Sequence, residues 1–151
     1  MVGLRRRRRQ RVLLRSFHVT AHCSTITVRF SDLDPWGHVN HARYLSYFES
    51  ARIELLDEIG FGIMEMAAAG RQIVLVELTA RYHAASNLHD RLDITTRVES
   101  IQRATTHWHQ EAHCNGTAVS TLDVRAAFID LDGRPARPPS GFAEAASVYV
   151  S

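Results

Sequence analysis

The sequence contains no lysine, so each of its 18 basic side chains is an arginine. This absence excludes chemistry that needs a lysine amine, such as Schiff-base formation with a carbonyl or with pyridoxal phosphate. It also excludes the lysine-containing phosphate-binding loops and the protein kinases. The GxGxxG and GxSxG motifs are missing as well, so neither a dinucleotide-binding fold nor a nucleophile-elbow hydrolase is indicated.

Cysteines and long apolar runs are scarce. The chain has 2 cysteines and no CxxC motif, which argues against a disulfide framework and favours a reducing, cytoplasmic setting. Cys23 and Cys114 lie in predicted strands, where we expect small buried side chains. The longest uncharged apolar run, around residues 73–76, is far shorter than the roughly 20 residues of a membrane-spanning helix. We therefore expect no membrane span.

Charge is distributed unevenly along the chain. Seven arginines lie within the first fifteen residues, and the remainder carries 11 arginines against 16 acidic residues. An arginine-rich, acid-free start is typical of a transit peptide or a nucleic-acid-binding arm. Five consecutive arginines, however, form no amphipathic pattern. Residues 1–21 are therefore interpreted as a disordered extension, or as an over-long translation start, without specific nucleic-acid binding.

Hydrophobic periodicity predicts one domain over residues 22–131, followed by a loop and a short helix over 132–151. Residues 23–30 alternate as in a strand, and residues 41–59 have the spacing of a helix capped by Asn40 and ended by Gly60. A short second helix should end at Gly70. The period then changes to two in four runs, with a hairpin signal at Asn115-Gly116; the runs are residues 72–82, 91–101, 105–114 and 117–130.

Consecutive strands with short turns pair antiparallel, and one face of the resulting sheet needs an apolar cover. The helix over residues 41–59 is the only large candidate. We therefore predict an α+β fold in which a five-stranded antiparallel sheet wraps around a long central helix. The run 72–82 is apolar on both faces, which predicts a sheet-to-sheet contact in an oligomer.

The most unusual stretch is SDLDPWGHVNHARYL, residues 31–45, where polar side chains precede the long helix. A helix start offers unpaired N–H groups and a partial positive charge, so the amides of His41 and Ala42 are candidates to hold an oxyanion. Asp34, fixed by Pro35, is placed to act as a nucleophile or as a general base for water. Aspartate and asparagine before a helix are also common caps, so spacing alone leaves both interpretations open.

The segment VRFSDLDPWGHVNHARYLSYFESARIELL, residues 28–56, resembles the signature of the 4-hydroxybenzoyl-CoA thioesterase family. Its pattern is an aspartate, one residue, a second aspartate, two residues, a glycine, and a helix that opens with an ARYL-like run. The resemblance implies a hotdog fold, a homodimer or homotetramer, and hydrolysis of an acyl-CoA thioester to a carboxylic acid and coenzyme A. Coenzyme A is then part of the substrate, and neither a cofactor nor a metal is expected.

The resemblance also implies roles for individual residues. Asp34 corresponds to the catalytic carboxylate, and the backbone amide near His41 holds the thioester oxygen, with Asn40 and the His41 side chain orienting the site. Arg81 and Arg103 are candidates for contacts with the coenzyme A phosphates, of the same or a neighbouring subunit's substrate. Position 41 is more often asparagine in the family, which leaves the role of this histidine open.

Two other functions and several other sites are also consistent with parts of the sequence. A hotdog enoyl-CoA hydratase or dehydratase would need a histidine–carboxylate pair, and a non-catalytic acyl-CoA-binding protein would need only the pocket. A metal site of Asp34, His38 and His41 has weak spacing. Glu49 is interpreted as a structural partner of Arg52, and Asp32 as a support of the turn. A set of three histidines shares one strand face, either solvated or in an interface, with a metal or pH-sensing role as the alternative: His107, His109 and His113.

Overall fold

A computed structural model describes residues 20–151, so the predicted extension over residues 1–21 lies almost entirely outside the described residues. Within the described part of the chain, no helix has the length and apolarity needed to cross a bilayer. The elements in chain order are β1 (His22–Thr27), α1 (His41–Glu58), α2 (Ile63–Ala68), β2 (Gln72–Tyr82), β3 (Arg91–Ile101), β4 (Thr105–Cys114), β5 (Thr117–Ile129) and α3 (Phe142–Ala146). Single 3₁₀ turns occupy Phe30–Asp32 and Ser147–Tyr149.

The five strands form one antiparallel sheet, as predicted, and their order in the sheet is β1-β3-β4-β5-β2. The β4–β5 hairpin turns at Asn115 and Gly116, whose φ angles of 50° and 79° suit the tight turn that this dipeptide favours. The first strand is shorter than predicted. It ends at Thr27, and the chain then forms a 3₁₀ turn in which the Arg29 amide donates to the Asp32 carboxylate.

Helix α1 begins and ends at the residues that its caps predict. The Asn40 side chain accepts a hydrogen bond from the Ala42 amide at 2.9 Å, and Gly60 follows the last turn with a φ of 79°. One face of α1 is buried against one face of the sheet, and its residues recur at three- and four-residue steps: Tyr44, Tyr47, Phe48, Ala51 and Leu55. Phe142 of α3 packs against Phe128 and completes the same core.

The two faces of the sheet differ in polarity. The inner face carries the core, and on β3 the predicted set Leu92, Ile94, Thr96 and Val98 is fully buried. The outer face carries charged side chains. Cys23 points to that face and is exposed, so its predicted burial is wrong, while Cys114 is half-buried. Strand β2 lies at an edge of the sheet, where its apolar side chains Leu75, Val76 and Leu78 remain substantially exposed.

Candidate active site

The polar stretch before α1 folds into a small hairpin. The Asn40 amide donates to the Asp32 carbonyl at 2.8 Å, and the Asp34 amide donates to the His38 carbonyl at the same distance. The tip is a tight turn closed by the Gly37 amide on the Asp34 carbonyl at 3.0 Å. Gly37 has a φ of 80°, a conformation that favours glycine. This hairpin directly precedes α1 and fixes the backbone of Asp34.

Asp32 is committed to the structure. Its Oδ2 atom accepts from the Tyr47 hydroxyl at 2.8 Å and from the Arg29 amide at 3.1 Å, and Arg43 Nε lies 3.9 Å from Oδ1. Burial, and then the hydrogen bond to this carboxylate, raise the pKa of Tyr47, so the phenol stays a proton donor. These contacts agree with the interpretation of Asp32 as a support of the turn.

Asp34 is engaged on one oxygen only. Its Oδ1 atom accepts from the amides of Trp36 at 2.9 Å and His38 at 3.3 Å, which orients the half-buried carboxylate. Its Oδ2 atom accepts no hydrogen bond from any residue of the described range 20–151. A carboxylate with one fixed and one open oxygen can take a proton or attack a carbonyl carbon without losing its support.

The first two amides of α1 differ in their hydrogen bonding. Asn40 occupies the Ala42 amide, so the prediction that this amide stays free is wrong. The His41 amide belongs to the first helical residue, so it has no acceptor within the helix, and it donates to no carbonyl of residues 20–151. The exposed His41 ring packs edge-on against Tyr82, with ring centroids 6.5 Å apart.

Two residues that sequence reasoning missed complete the surroundings of this helix start. The Tyr82 hydroxyl donates to the His41 carbonyl at 2.8 Å, which ties the end of β2 to the first turn of α1. Buried Ser86 accepts from the Tyr44 hydroxyl and, through its carbonyl, from the Val39 amide, both at 2.9 Å. The signal for Tyr82 in the sequence was its aromatic side chain at the end of a predicted strand. The sequence around Ser86 contains no signal for its role.

The chain is similar in sequence to a known superfamily and to its members. The sequence model of the thioesterase-like superfamily matches residues 28–146, a span that includes the hairpin and α1. The chain belongs to this superfamily. Among its relatives, the acyl-CoA thioesterase YbgC of Haemophilus influenzae is 33% identical over 107 residues, which cover 70% of this chain and 79% of that protein.

Solved structures agree on the fold of this thioesterase. A probable thioesterase from Bartonella henselae is 28% identical with a TM-score of 0.76, over 80% of this chain and all of that one (100%). A thioesterase from Thermus thermophilus, complexed with coenzyme A and Zn, is 26% identical with a TM-score of 0.74, over 84% of this chain and 93% of that one. The predictions of an α+β hotdog fold and of a thioester hydrolase are confirmed.

The two candidate phosphate-binding arginines lie far apart in this thioesterase. Arg81 pairs with Thr121 across the sheet, at the end of β2 that also carries Tyr82. Arg103 lies in the β3–β4 turn next to Ala104, whose carbonyl accepts from the Phe128 amide. Phe128 is seven residues beyond Thr121 along β5, which corresponds to about 23 Å at the usual rise of a strand. The Arg81 guanidinium is moreover bound to Asp123 at 2.7 Å. One chain therefore does not bring both arginines to one phosphate.

Two of the three histidines of β4, His109 and His113, belong to an ionic network on the outer face of the sheet. His109 contacts Asp123 through Nδ1 at 2.6 Å and Glu111 through Nε2 at 3.1 Å, and Glu111 also lies 3.5 Å from His113. Burial alone would lower the pKa of His109, but the hydrogen bonds to the two carboxylates outweigh it and raise that pKa. Within residues 20–151, the group with metal-ligand geometry is Glu99, His109 and Asp123, and not the one suggested around Asp34.

Glu49 and Arg52 do not form the ion pair that their spacing suggested. Arg52 instead donates through Nη1 to Gln110 Oε1 at 2.6 Å, and no carboxylate of the described chain lies within ion-pair distance of its guanidinium. Gln110 comes from β4, far away in the sequence, so a helical i, i+3 rule could not reveal it. Both Glu49 and Arg52 line an apolar cleft between α1, α2 and the sheet.

Proposed function

We propose that this thioesterase hydrolyses an acyl-CoA thioester to a carboxylic acid and coenzyme A in the cytoplasm. The name of the Haemophilus influenzae relative and the coenzyme A complex of the Thermus thermophilus neighbour support coenzyme A as the carrier. The signature over residues 28–56 favours the 4-hydroxybenzoyl-CoA branch of the superfamily. The identity of the acyl group is to be determined by measuring thiol release from a panel of acyl-CoA esters.

The proposal rests on two groups that have no hydrogen-bond partner among residues 20–151. They are the Oδ2 atom of Asp34 and the backbone amide of His41. In the proposed reaction, the thioester oxygen accepts from the His41 amide, where a negative charge is stabilised as the carbonyl carbon becomes tetrahedral. Asp34 Oδ2 either takes the proton from the attacking water or attacks the carbon itself. The thiolate of coenzyme A leaves and is protonated by water. Asn40 and the His41 ring orient the helix start.

The proposed assembly is a homodimer or homotetramer in which the sheet curves around α1 as the central helix. The support for association is the edge strand β2, whose exposed apolar side chains and free edge suit contact with another copy. Arg81 and Arg103 are proposed to contact coenzyme A phosphates of different subunits' substrates, because they lie at opposite ends of one sheet.

The proposal is tested by thiol release from a panel of aryl- and alkyl-acyl-CoA esters. Exposed Cys23 would react with the thiol reagent, so the assay uses a Cys23→Ser background. We expect turnover of at least one ester class. Hydration of an enoyl-CoA without thiol release would indicate a hydratase, and tight binding of an unreactive thioether analogue without turnover of any ester would indicate a binding protein. Either result would contradict the proposed reaction.

A further inference from the structure

The apolar cleft behind α1 contains an arginine, Arg52, that has no ion-pair partner among residues 20–151. The cleft has a volume of about 430 Å³ and is lined by apolar side chains of α1, α2 and the inner sheet face, among them Ile53, Leu56, Met66, Trp108 and Val124. Its size lies within the range of small-molecule sites, which combine an apolar lining with a few polar groups. Arg52 is the polar group on its α1 wall.

The position of Arg52 is held by a neutral residue that has no freedom to turn. Gln110 is fully buried, and its Nε2 atom donates to the Phe48 carbonyl and to Thr96 Oγ1, both at 2.9 Å. Its Oε1 atom must therefore face Arg52, at 2.6 Å. The guanidinium is anchored on one side, and the anchor leaves its charge uncompensated.

The charge balance of the cleft is positive. Two arginines, Arg52 and Arg71, line the cleft against one acid, Glu49. Arg71 already donates to the carbonyls of Arg137 and Gly70. Burial lowers the pKa of Arg52, and Glu49 counteracts this effect without approaching to ion-pair distance. A charge taken out of water without a counter-ion is costly, so the free protein is poised to accept an anion here.

We propose that the cleft binds a carboxylic acid anion with an apolar body, whose carboxylate pairs with Arg52 and whose body contacts the apolar lining. A planar guanidinium matches a carboxylate with two parallel hydrogen bonds, and Arg52 has donors left beyond the one given to Gln110. Such a ligand has two sources, a free acid or the distal carboxylate of a substrate's acyl group. The second source rests on the proposed function, and the first does not.

Calorimetric titration with octanoate and with its neutral analogue octanamide tests the inference without any turnover. We expect wild-type protein to bind octanoate at least tenfold more tightly than octanamide, and Arg52→Gln to remove that preference. Arg71→Gln is the matched control, because it removes the same charge from the same cleft. The Arg71 guanidinium already donates to two backbone carbonyls, so this variant should keep the preference for octanoate within threefold. Equal binding of the two ligands by the wild type, or an unchanged preference in Arg52→Gln, would overturn the proposal.

A second variant, Gln110→Glu, tests the proposal even if the Arg52→Gln protein does not fold. Gln110→Glu places a carboxylate against Arg52 from within the protein, so the preference for octanoate should fall below threefold while circular dichroism stays native. A native Gln110→Glu protein with the full wild-type preference would contradict the assignment of Arg52. If a carboxylate of a second copy supplies the counter-ion, octanoate will not bind preferentially to the wild type, which also overturns the proposal.

The source of the ligand is separated by comparing suberyl-CoA with octanoyl-CoA as substrates. These esters have acyl chains of equal length, and only the suberyl chain ends in a carboxylate. If the distal carboxylate pairs with Arg52, Arg52→Gln will lower kcat/KM for suberyl-CoA at least tenfold more than for octanoyl-CoA. Equal changes for the two esters, together with octanoate binding, would assign the cleft to a free acid. Failure of the proposed thioesterase reaction leaves the octanoate titration interpretable.

Discussion

The ionic network of β4 and β5 on the outer face of the sheet differs from two charged groups on the helix side, Asp34 and Arg52. On the outer face, Arg81 pairs with Asp123 at 2.7 Å, Arg125 pairs with Glu77 at 3.3 Å, and His109 lies between two carboxylates. On the helix side, Asp34 keeps one oxygen open, and Arg52 has a neutral partner.

This difference indicates where the protein can act on a ligand. Charges that satisfy one another on a partly solvated face contribute little stability, and a substrate must displace one partner in order to bind the other. A charged group that lacks an ion-pair or hydrogen-bond partner near an apolar cleft or a helix start is costly in the free protein. A ligand or a transition state can supply the missing partner. The number of charged groups on a surface is therefore a poorer guide to function than whether each of those groups has a partner.

The largest expected effect is that of Asp34→Asn on turnover. Asparagine keeps an oxygen for the Trp36 and His38 amides but cannot act as a base or nucleophile, so kcat should fall by about 10²–10⁴-fold while the thermal midpoint is unchanged. The matched control is Asp130→Asn, because Asp130 accepts from two loop amides in the same way, each at 2.9 Å. Similar activity losses in the two variants would remove the distinction between Asp34 and an ordinary turn aspartate.

The next effect concerns the carboxylate that is already paired. Tyr47→Phe deletes the hydroxyl that donates to buried Asp32, and we expect the free energy of unfolding in urea to fall by about 1–3 kcal/mol. Tyr149→Phe serves as the control, because that hydroxyl donates to Glu58, whose side chain is 56% exposed and can be rehydrated. A greater loss for Tyr149→Phe would show that burial does not decide the cost.

Two substitutions of Asn40 distinguish a role in capping the helix from a role in the reaction. Asn40→Ala leaves the Ala42 amide without its acceptor, and the free energy of unfolding should fall by about 1 kcal/mol. Asn40→Ser restores an equally good cap, so both the stability and kcat should return to near the wild-type values. If Asn40→Ser recovered stability but not kcat, the amide side chain would have a role in the reaction beyond capping.

The smallest expected effect lies on the outer face. The pKa of His109 is raised, so its pairing stabilises the fold below about pH 6.5 and is lost as the pH rises through the folded-state pKa. The hydrogen bond from His109 and then that from Arg81 lower the pKa of Asp123, against the opposing effect of burial, so the contribution of Asp123 is lost only when the pH falls below about 4. His109→Gln should therefore cost up to about 1 kcal/mol at pH 6 and less at pH 8.5, because solvent screens the pair.

Urea unfolding at the two pH values measures this difference. His83→Gln is the control, because the His83 ring bonds to the neutral hydroxyl of Thr121 at 3.1 Å. Equal pH dependence in the wild type and His109→Gln would mean that the outer network contributes nothing measurable, and a loss above about 3 kcal/mol would mean that the solvent does not screen it.

Local chemistry made most of the fold predictable. Alternation over residues 91–101, the turn residues Asn115-Gly116 and the cap at Asn40 act over a few neighbouring residues, and each element appears where these signals place it. The polar stretch before α1 was also recognisable, because a helix start has the same unpaired groups in any fold.

The remaining features depend on residues that are distant in the sequence. Gln110 meets Arg52 across the core, and the Tyr82 hydroxyl reaches the His41 carbonyl from the edge of the sheet. Side-chain periodicity reports which face a residue occupies, but not which partner lies opposite. The predicted Glu49–Arg52 contact was wrong for this reason, since helical spacing made it possible and a long-range acceptor replaced it.

The strand order has a consequence for the order of folding. β3, β4 and β5 follow one another in a meander of short hairpins, whereas Thr27 of β1 must find Arg91 and Gln72 of β2 must find Ile129. Closing such long loops costs more entropy, so we expect the meander to form first and the two edge strands to dock last. The hairpin with Asp34 lies between β1 and α1, and the first turn of α1 is tied to β2 by the Tyr82 hydroxyl. Mild denaturant should therefore open this corner, and abolish turnover, before the central strands unfold.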